Sequence, residues 1–348
     1  MSTPLFITGL AAVIFTLIAW GARSLPRENR QFFAVLPLNK DQHNQWTGLN
    51  LTWYGLLSAN AYTFSVVIFL ILGRSAQIPV LDLGILVSAM LAVCLPASRL
   101  LARWVEKKKN TLTVGGAVFV GTLAAPWLVQ LHGALNPQSA PVSPGVFMAA
   151  LATAYAFGEG LGRLACVSFG CCYGRPLSQC PPWVNALFSR FHLIFSGETK
   201  KIAYADDLTG KKVIPVQIIT AVIYSVTGLS AAALFLSGRF IAALFLSIFV
   251  TQVWRFVSEF LRADFRGDFT VTPYQIMALV SLCYTLTIPT LFPVTTGGPP
   301  QLGLGLSALW NPAVLLFIQA VWLVCFFHTG RSSVTGATLF FHVRQDRI

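Results

Sequence analysis

The sequence predicts an all-α integral membrane protein, a polytopic helical bundle of about 8–9 transmembrane helices with a small polar head segment. Three observations carry that reading. The 348-residue chain is 55% hydrophobic and 10% charged, whereas a soluble domain carries about 25% charged residues. Its apolar residues gather into unbroken runs of roughly 17–25, the length that crosses about 30 Å of hydrocarbon as a helix, and a transmembrane barrel would need alternating segments of about ten residues instead. The net charge of +12 lies between these runs, so the basic residues report orientation and no nucleic-acid partner is read from them.

The first span, near 4–20, lacks a basic leader and ends in Trp20-Gly21-Ala22-Arg23, so it reads as a retained helix rather than a secretory signal. The segment 23–50 can lie on the membrane surface through Phe32, Phe33, Leu36 and Leu38, flanked by Arg27, Arg30 and Lys40. Spans follow near 53–72, 81–101 (closed by Arg99, with Arg103 one turn on), 113–130 and 146–166. The one long polar segment, 170–213, holds Cys171, Cys172, Cys180 and the charged stretch Glu198 to Lys212, and reads as a small folded head. Spans near 214–236, 240–260 and 271–292 lead to an uncharged loop, 293–308, rich in glycine and proline (Gly297, Gly298, Pro299, Pro300). A last span near 309–327 precedes the tail 328–348. The expected organisation is an extra N-terminal helix and surface segment over 1–50, a membrane core over 51–292 that includes the head, and a loop, extra C-terminal helix and tail over 293–348.

Placing the loops at 21–52, 99–112, 170–213, 261–270 and the tail on one side gives that side and its adjacent helix ends all 24 Lys and Arg residues except Arg74 and Arg239. Short loops rich in Lys and Arg stay in the cytoplasm, which puts the head and the C-terminus there.

Charges inside spans are costly, about 2.5–3.5 kcal/mol each at the bilayer centre, and mark candidate sites. Glu159 and Arg163 share one face of the fifth span, and Arg255 and Glu259 one face of the seventh; the i,i+4 spacing lets each pair neutralise itself. Such pairs can be purely structural, and arginines at helix ends can snorkel. Several arginines converging on one cavity would point instead to a phospholipid headgroup, because guanidinium binds phosphate through two parallel hydrogen bonds.

The stretch Gly162-Arg163-Leu164-Ala165-Cys166-Val167-Ser168-Phe169-Gly170-Cys171-Cys172-Tyr173-Gly174-Arg175 resembles the signature segment of the prolipoprotein diacylglyceryl transferase family. Other landmarks follow in family order: Trp53-Tyr54-Gly55, Gly115-Gly116 for a His-Gly-Gly motif, Pro215 and Gln217, then Arg255, Glu259, Phe260 and Arg262, and Gln275 opening the next span. The resemblance covers roughly 50–290. It implies a multi-pass enzyme of the bacterial cytoplasmic (inner) membrane that takes the diacylglyceryl group of phosphatidylglycerol, passes it to a cysteine thiol of a lipoprotein precursor and releases glycerol phosphate. Together with the charged pairs and the thiols, it gives a site in which Arg163, Arg255 and Glu259, matched to the family, and Cys171, read from its own chemistry, are catalytic candidates, and Tyr54, Arg99, Gly115, Gly116, Glu159, Gly174, Arg175, Gln217, Arg262 and Gln275 are candidates for binding substrate. It implies no cofactor. Gly174 is expected to let the backbone approach the lipid.

The departures bear on the acceptor. Val114 stands where the family has histidine, Cys166 for asparagine, Cys171 for glutamate, Ile214 for histidine and Thr251 for tyrosine. Arginines survive while thiol-activating residues do not. The expected activity is therefore transfer of a diacylglyceryl or related glycerolipid group from an anionic phospholipid to an unidentified acceptor, either a lipoprotein precursor or another lipid or glycan; the alternative is a non-catalytic phospholipid-binding or lipid-translocating protein. Family members place this site on the outer face, against the charge count, and the charge count is preferred here.

Cys166, Cys171, Cys172 and Cys180 leave several readings open. A thiolate near Arg163 and Arg175 would have a lowered pKa and act as nucleophile; a disulfide fits a non-cytoplasmic segment; packing is the plain alternative. Zinc is the weakest, since the spacing is unfamiliar and His192 is the only nearby histidine. His43, His132, His328 and His342 have no partner spacing and read as loop or interface residues.

Overall fold

In the computed structural model of the chain, which describes residues 2–43, 45–106, 113–264, 271–294, 298–339 and 344–347, eight helices are long and apolar enough to cross a membrane. They are α1 (Thr3–Ser24), α2 (Trp53–Ser75), α3 (Val80–Glu106), α4 (Val114–Leu135), α8 (Val216–Leu236), α9 (Phe240–Ser258), α10 (Pro273–Leu291) and α12 (Pro312–Thr329). The protein is thus a polytopic helical membrane protein. A further long helix, α5 (Pro144–Phe169), falls outside the eight because Gly, Ala, Glu159 and Arg163 dilute its hydropathy. It corresponds to the fifth expected span and is the hub, packed against α2, α8, α9, α4 and α1 and buried along most of its length. Small residues let neighbouring backbones come close where lipid offers no hydrophobic drive to association; Ala149, Ala150, Ala156 and Gly160 do so here.

The head between α5 and α8 contains α6 (Pro182–Phe188), α7 (Lys201–Asp206) and a small antiparallel pair, β3 (Leu193–Ile194) with β4 (Lys212–Val213). The 298–339 stretch adds α11 (Leu302–Ala308), whose Gly305 lies against the Ile71 carbonyl of α2, so closely that a Cβ would collide with it. The surface segment is an antiparallel hairpin, β1 (Phe32–Lys40) and β2 (Trp46–Thr52), and β5 (Arg331–Leu339) adds to β2 to give the order β1-β2-β5. The pairing of β2 with β5 has no local signal in the sequence, because β5 lies nearly the whole chain away from β2. Positions 107–112 and 265–270 of the basic loops, Gly297 and His342 lie outside the described residues.

Hydrogen bonds gather the basic segments at one end of the bundle. Lys200 is fully buried and donates from Nζ to Leu25 O (3.2 Å) and Ser168 O (2.6 Å), tying the ends of α1 and α5 together. These are carbonyls that a helix terminus leaves without an intrahelical partner. Ser196 N bonds to Pro26 O, Thr52 N to Gly330 O, Ala263 N to Tyr173 O and Arg175 N to Leu261 O. Ser98 Oγ donates to Thr113 O (2.8 Å), joining α3 to α4 at the same end.

Candidate functional site

α5 ends in a Schellman cap. Gly170 takes φ +71°, the left-handed region open to glycine, and Cys171 N donates to Cys166 O (3.1 Å) while Gly170 N reaches Val167 O (3.3 Å). The turn folds Cys171 back over Cys166. Cys172 follows at φ +57°, and the sulfur atoms of Cys166, Cys171 and Cys172 lie within 4.8 Å of one another.

One to two turns earlier on α5 sits a charged cluster. Glu159 accepts from the Arg163 guanidinium through Oε1, and from the Tyr155 hydroxyl and Arg255 Nη2 (2.5 Å) through Oε2. Arg255 Nη2 also lies 3.0 Å from the Tyr155 hydroxyl. Glu159 is 8% exposed, and both guanidinium groups are nearly as deep. The Nε donors of Arg163 and Arg255 are buried without a hydrogen-bond acceptor among the described residues. Gly115 makes room for this arrangement: a Cβ there would come within 3.0 Å of Arg255 Nη1 and 3.1 Å of the Tyr274 ring.

Tyr155, Glu159 and Arg163 close one end of a cavity of about 310 Å³ between α2, α3, α4 and α5, with Arg255 behind Glu159. Tyr54, Ser58, Glu159, Arg163 and Cys166 line its polar end, and Val66, Phe69, Met90 and Met148 line the rest. α3 packs on α4 rather than on α2, which leaves the cavity between the two helix pairs. Val114 lines it too, and no histidine does among the described residues.

The structure brings together Arg163, Arg255, Glu159, Tyr54 and the Gly115 backbone, with Gly116 packed against Leu101 behind them. It separates others. Arg255 and Glu259 do not pair: α9 ends at Ser258 and Glu259 opens a 3-10 turn, Glu259–Leu261, so the i,i+4 geometry is lost. Glu259 instead lies 3.8 Å from Arg262, which is held bidentately by Asp264 at 2.7 Å. Arg99 is exposed and bonded to His328 (3.0 Å), and Arg175 is exposed in the head. Gln275 completes the capping box of α10 with Thr272 and reaches Phe256 O (3.2 Å). Gln217 Nε2 holds Cys171 O (2.9 Å). The close approach that Gly174 permits is to the Ile214 carbonyl, with which a Cβ would collide, and not to a lipid.

At Cys171 the shift runs opposite to that of an activated thiolate. Hydrogen bonds to the Cys166 and Cys172 thiols, together with burial, push its thiol well above the ordinary range. All seven cysteines are free thiols, and Cys180 stands apart, bonded to Pro176 O (3.3 Å). Tyr155 was missed in the sequence, although it precedes Glu159 by the same four residues by which Arg163 follows it. His132, read as a loop or interface residue, is buried in α4 with Nε2 at 3.1 Å from Asp82 of α3.

The family model of prolipoprotein diacylglyceryl transferases matches residues 44–292. No curated protein gives a significant match.

Proposed function

We propose that this chain, which belongs to the prolipoprotein diacylglyceryl transferase family, moves a diacylglyceryl or related glycerolipid group from an anionic, phosphatidylglycerol-like phospholipid to an acceptor, with Arg163 and Arg255 holding the phosphate. The observation that carries the reading is the pair of buried guanidinium groups whose Nε donors lack an acceptor among the described residues: Arg163 lines the polar end of a mostly apolar cavity, and Arg255 stands behind that wall, bonded to Glu159. Two guanidinium groups share one carboxylate, so the cluster keeps one net positive charge for an anion. The apolar remainder suits acyl chains.

In the reaction a nucleophile forms a bond to the glycerol carbon. The carbon–oxygen bond to phosphate breaks, its electron pair leaves on oxygen, and glycerol phosphate is released. Fixed positive charge in a dry site stabilises the charge that develops there. Glu159 acts as a positioning residue that aims both arginines, and Tyr54, beside the thiols, lies where the substrate headgroup sits. Arg262, Gln217, Gln275, Glu259 and Gly174 support the walls rather than touch substrate.

The core over 51–292 is the transferase unit, and 1–50 and 293–348 are additions that meet in the β1-β2-β5 sheet. The membrane is the bacterial cytoplasmic one, with the basic end of the bundle inside. Val114 in the place of the family's histidine favours a second reading, a phospholipid-binding or lipid-translocating protein without chemistry. Purified protein in vesicles of labelled phosphatidylglycerol separates the two. Release of glycerol phosphate, abolished by Arg255→Ala, supports transfer. Stoichiometric retention of phospholipid with no release, whatever thiol or lipid acceptor is added, sinks it.

A further inference from the structure

We propose that Cys166, Cys171 and Cys172 form a three-thiolate site for one Zn2+ ion, with the fourth position open to the sulfur of a thiol acceptor. Zinc takes thiolates at about 2.3 Å in tetrahedral geometry, which sets sulfurs just under about 4 Å apart. The three sulfurs, within 4.8 Å of one another, need to draw in by about 1 Å to reach that spacing.

The backbone is shaped for this convergence. The Schellman cap returns Cys171 to Cys166, and Gln217 fixes the Cys171 carbonyl. Consecutive side chains on an extended chain point to opposite sides. Cys172 instead adopts φ +57°, a conformation unfavourable for an L-residue, and both neighbouring sulfurs end on the side of Cys166. Strain of this kind persists where surroundings over-determine it, and it clusters at functional sites. Simple packing of three small side chains has no need of it.

Charge and position agree. Three thiolates and one Zn2+ carry one net negative charge, and the guanidinium groups of Arg163 and Arg262, though each is paired with a carboxylate, interact electrostatically with these sulfurs. Cys166 and Arg163 both line the polar end of the cavity, so a fourth ligand on the ion would face the phosphate-binding arginines. A three-ligand zinc site with an open position is the catalytic rather than the structural form. A thiol entering that position loses its proton to solvent as its sulfur binds the ion, and it remains a nucleophile without a side-chain base. This accounts for a chain that places Val114 where a base would stand. The metal site itself stands on the sulfur geometry; the assignment of a thiol acceptor rests on the transferase reading.

The test uses full-length, reduced, chelator-stripped protein in detergent, titrated with Co2+ as a coloured substitute and then with Zn2+. The expected result is one equivalent of Co2+ with thiolate-to-metal absorption, displaced by Zn2+. Cys166→Ser, Cys171→Ser and Cys172→Ser should each weaken binding by roughly tenfold or more, and Cys180→Ser should leave it unchanged. N-acetylcysteine amide should shift the Co2+ spectrum where N-acetylserine amide does not. Should the serine variants fail to fold, alkylation of the wild-type protein decides: Zn2+ should protect three of its seven thiols. No stoichiometric metal, or protection of none of the three, overturns the site; a spectrum indifferent to the thiol overturns the open position. Arg255→Ala should bind metal as the wild type does while losing glycerol phosphate release. Wild-type protein that binds metal and the thiol but releases no glycerol phosphate therefore sinks the transferase reading and leaves the metal site standing.

Discussion

Arg255 of α9 meets Glu159 of α5 at 2.5 Å, although the two stand 96 positions apart in sequence. Each oxygen of Glu159 is committed, one to Arg163 and the other to Tyr155 and Arg255, so the carboxylate organises both guanidinium groups and the bundle closes around it.

Removing that carboxylate charge leaves two buried cations facing each other. Glu159→Gln should destabilise the protein by about 3–5 kcal/mol, as breaking a buried ion pair does, and should abolish transfer. Thermal unfolding in detergent measures the first effect; a wild-type midpoint for Glu159→Gln would mean the cluster is not load-sharing.

Arg163→Lys keeps the charge and loses the planar fork, including the Nε donor that has no protein partner. Phosphatidylglycerol retention, read by native mass spectrometry, should fall by about tenfold, equal to about 1.4 kcal/mol, while the unfolding midpoint moves little. Equal binding by both proteins would exclude Arg163 from the phosphate site.

Gly115 and Gly174 should respond differently to the same substitution. Gly115→Ala presses on the movable end of Arg255 at 3.0 Å and should reduce turnover more than stability. Gly174→Ala meets the Ile214 carbonyl, which is backbone and cannot swing away; it should cost roughly 1–3 kcal/mol, the usual range for overpacking. Turnover and melting measured side by side on both variants test the contrast.

Burial lowers the Lys200 ammonium to about 8, against about 10.4 in an unfolded chain. Between these values the unfolded state holds more protons, so this group adds stability as pH rises from about 8 to 10.4, and its penalty is greatest below 8. Other groups titrate in this window, so the measurement is the difference between wild type and Lys200→Met. That difference should shift in favour of the wild type as pH rises from 7 to 10, and a pH-independent difference would refute the assignment.

Alkaline phosphatase fused after residue 200 should be inactive and after residue 140 active, because hydrogen bonds put the head at the same end as the other basic segments. Activity at 200 would place the site on the outer face.

Helix positions were readable because a bilayer imposes a minimum apolar length, and Glu159 with Arg163 was readable because both lie on one helix four residues apart. The partner of Arg255 was not. A local rule nominated Glu259, and only the end of α9 at Ser258 removes it. α5 escaped the length-and-hydropathy criterion in the structure for the reason that makes it central: it faces protein on most sides and can carry charge. The thiol cluster was hidden by spacing that matches no familiar ligand pattern, since its geometry comes from two consecutive left-handed turns, at Gly170 and at Cys172, and not from spacing alone.

The sheet has a consequence for biosynthesis. β2 is its middle strand, bordered by β1 from the start of the chain and by β5 from its end. During translation, at about 5–20 residues per second, the hairpin waits for tens of seconds with one edge of β2 unpaired. The closing strand arrives only after α12 has been made. Completion of the sheet therefore reports that every membrane-spanning helix between β2 and β5 has been made, and a protein truncated before Arg331 would present the quality-control machinery of the cell with an open strand edge.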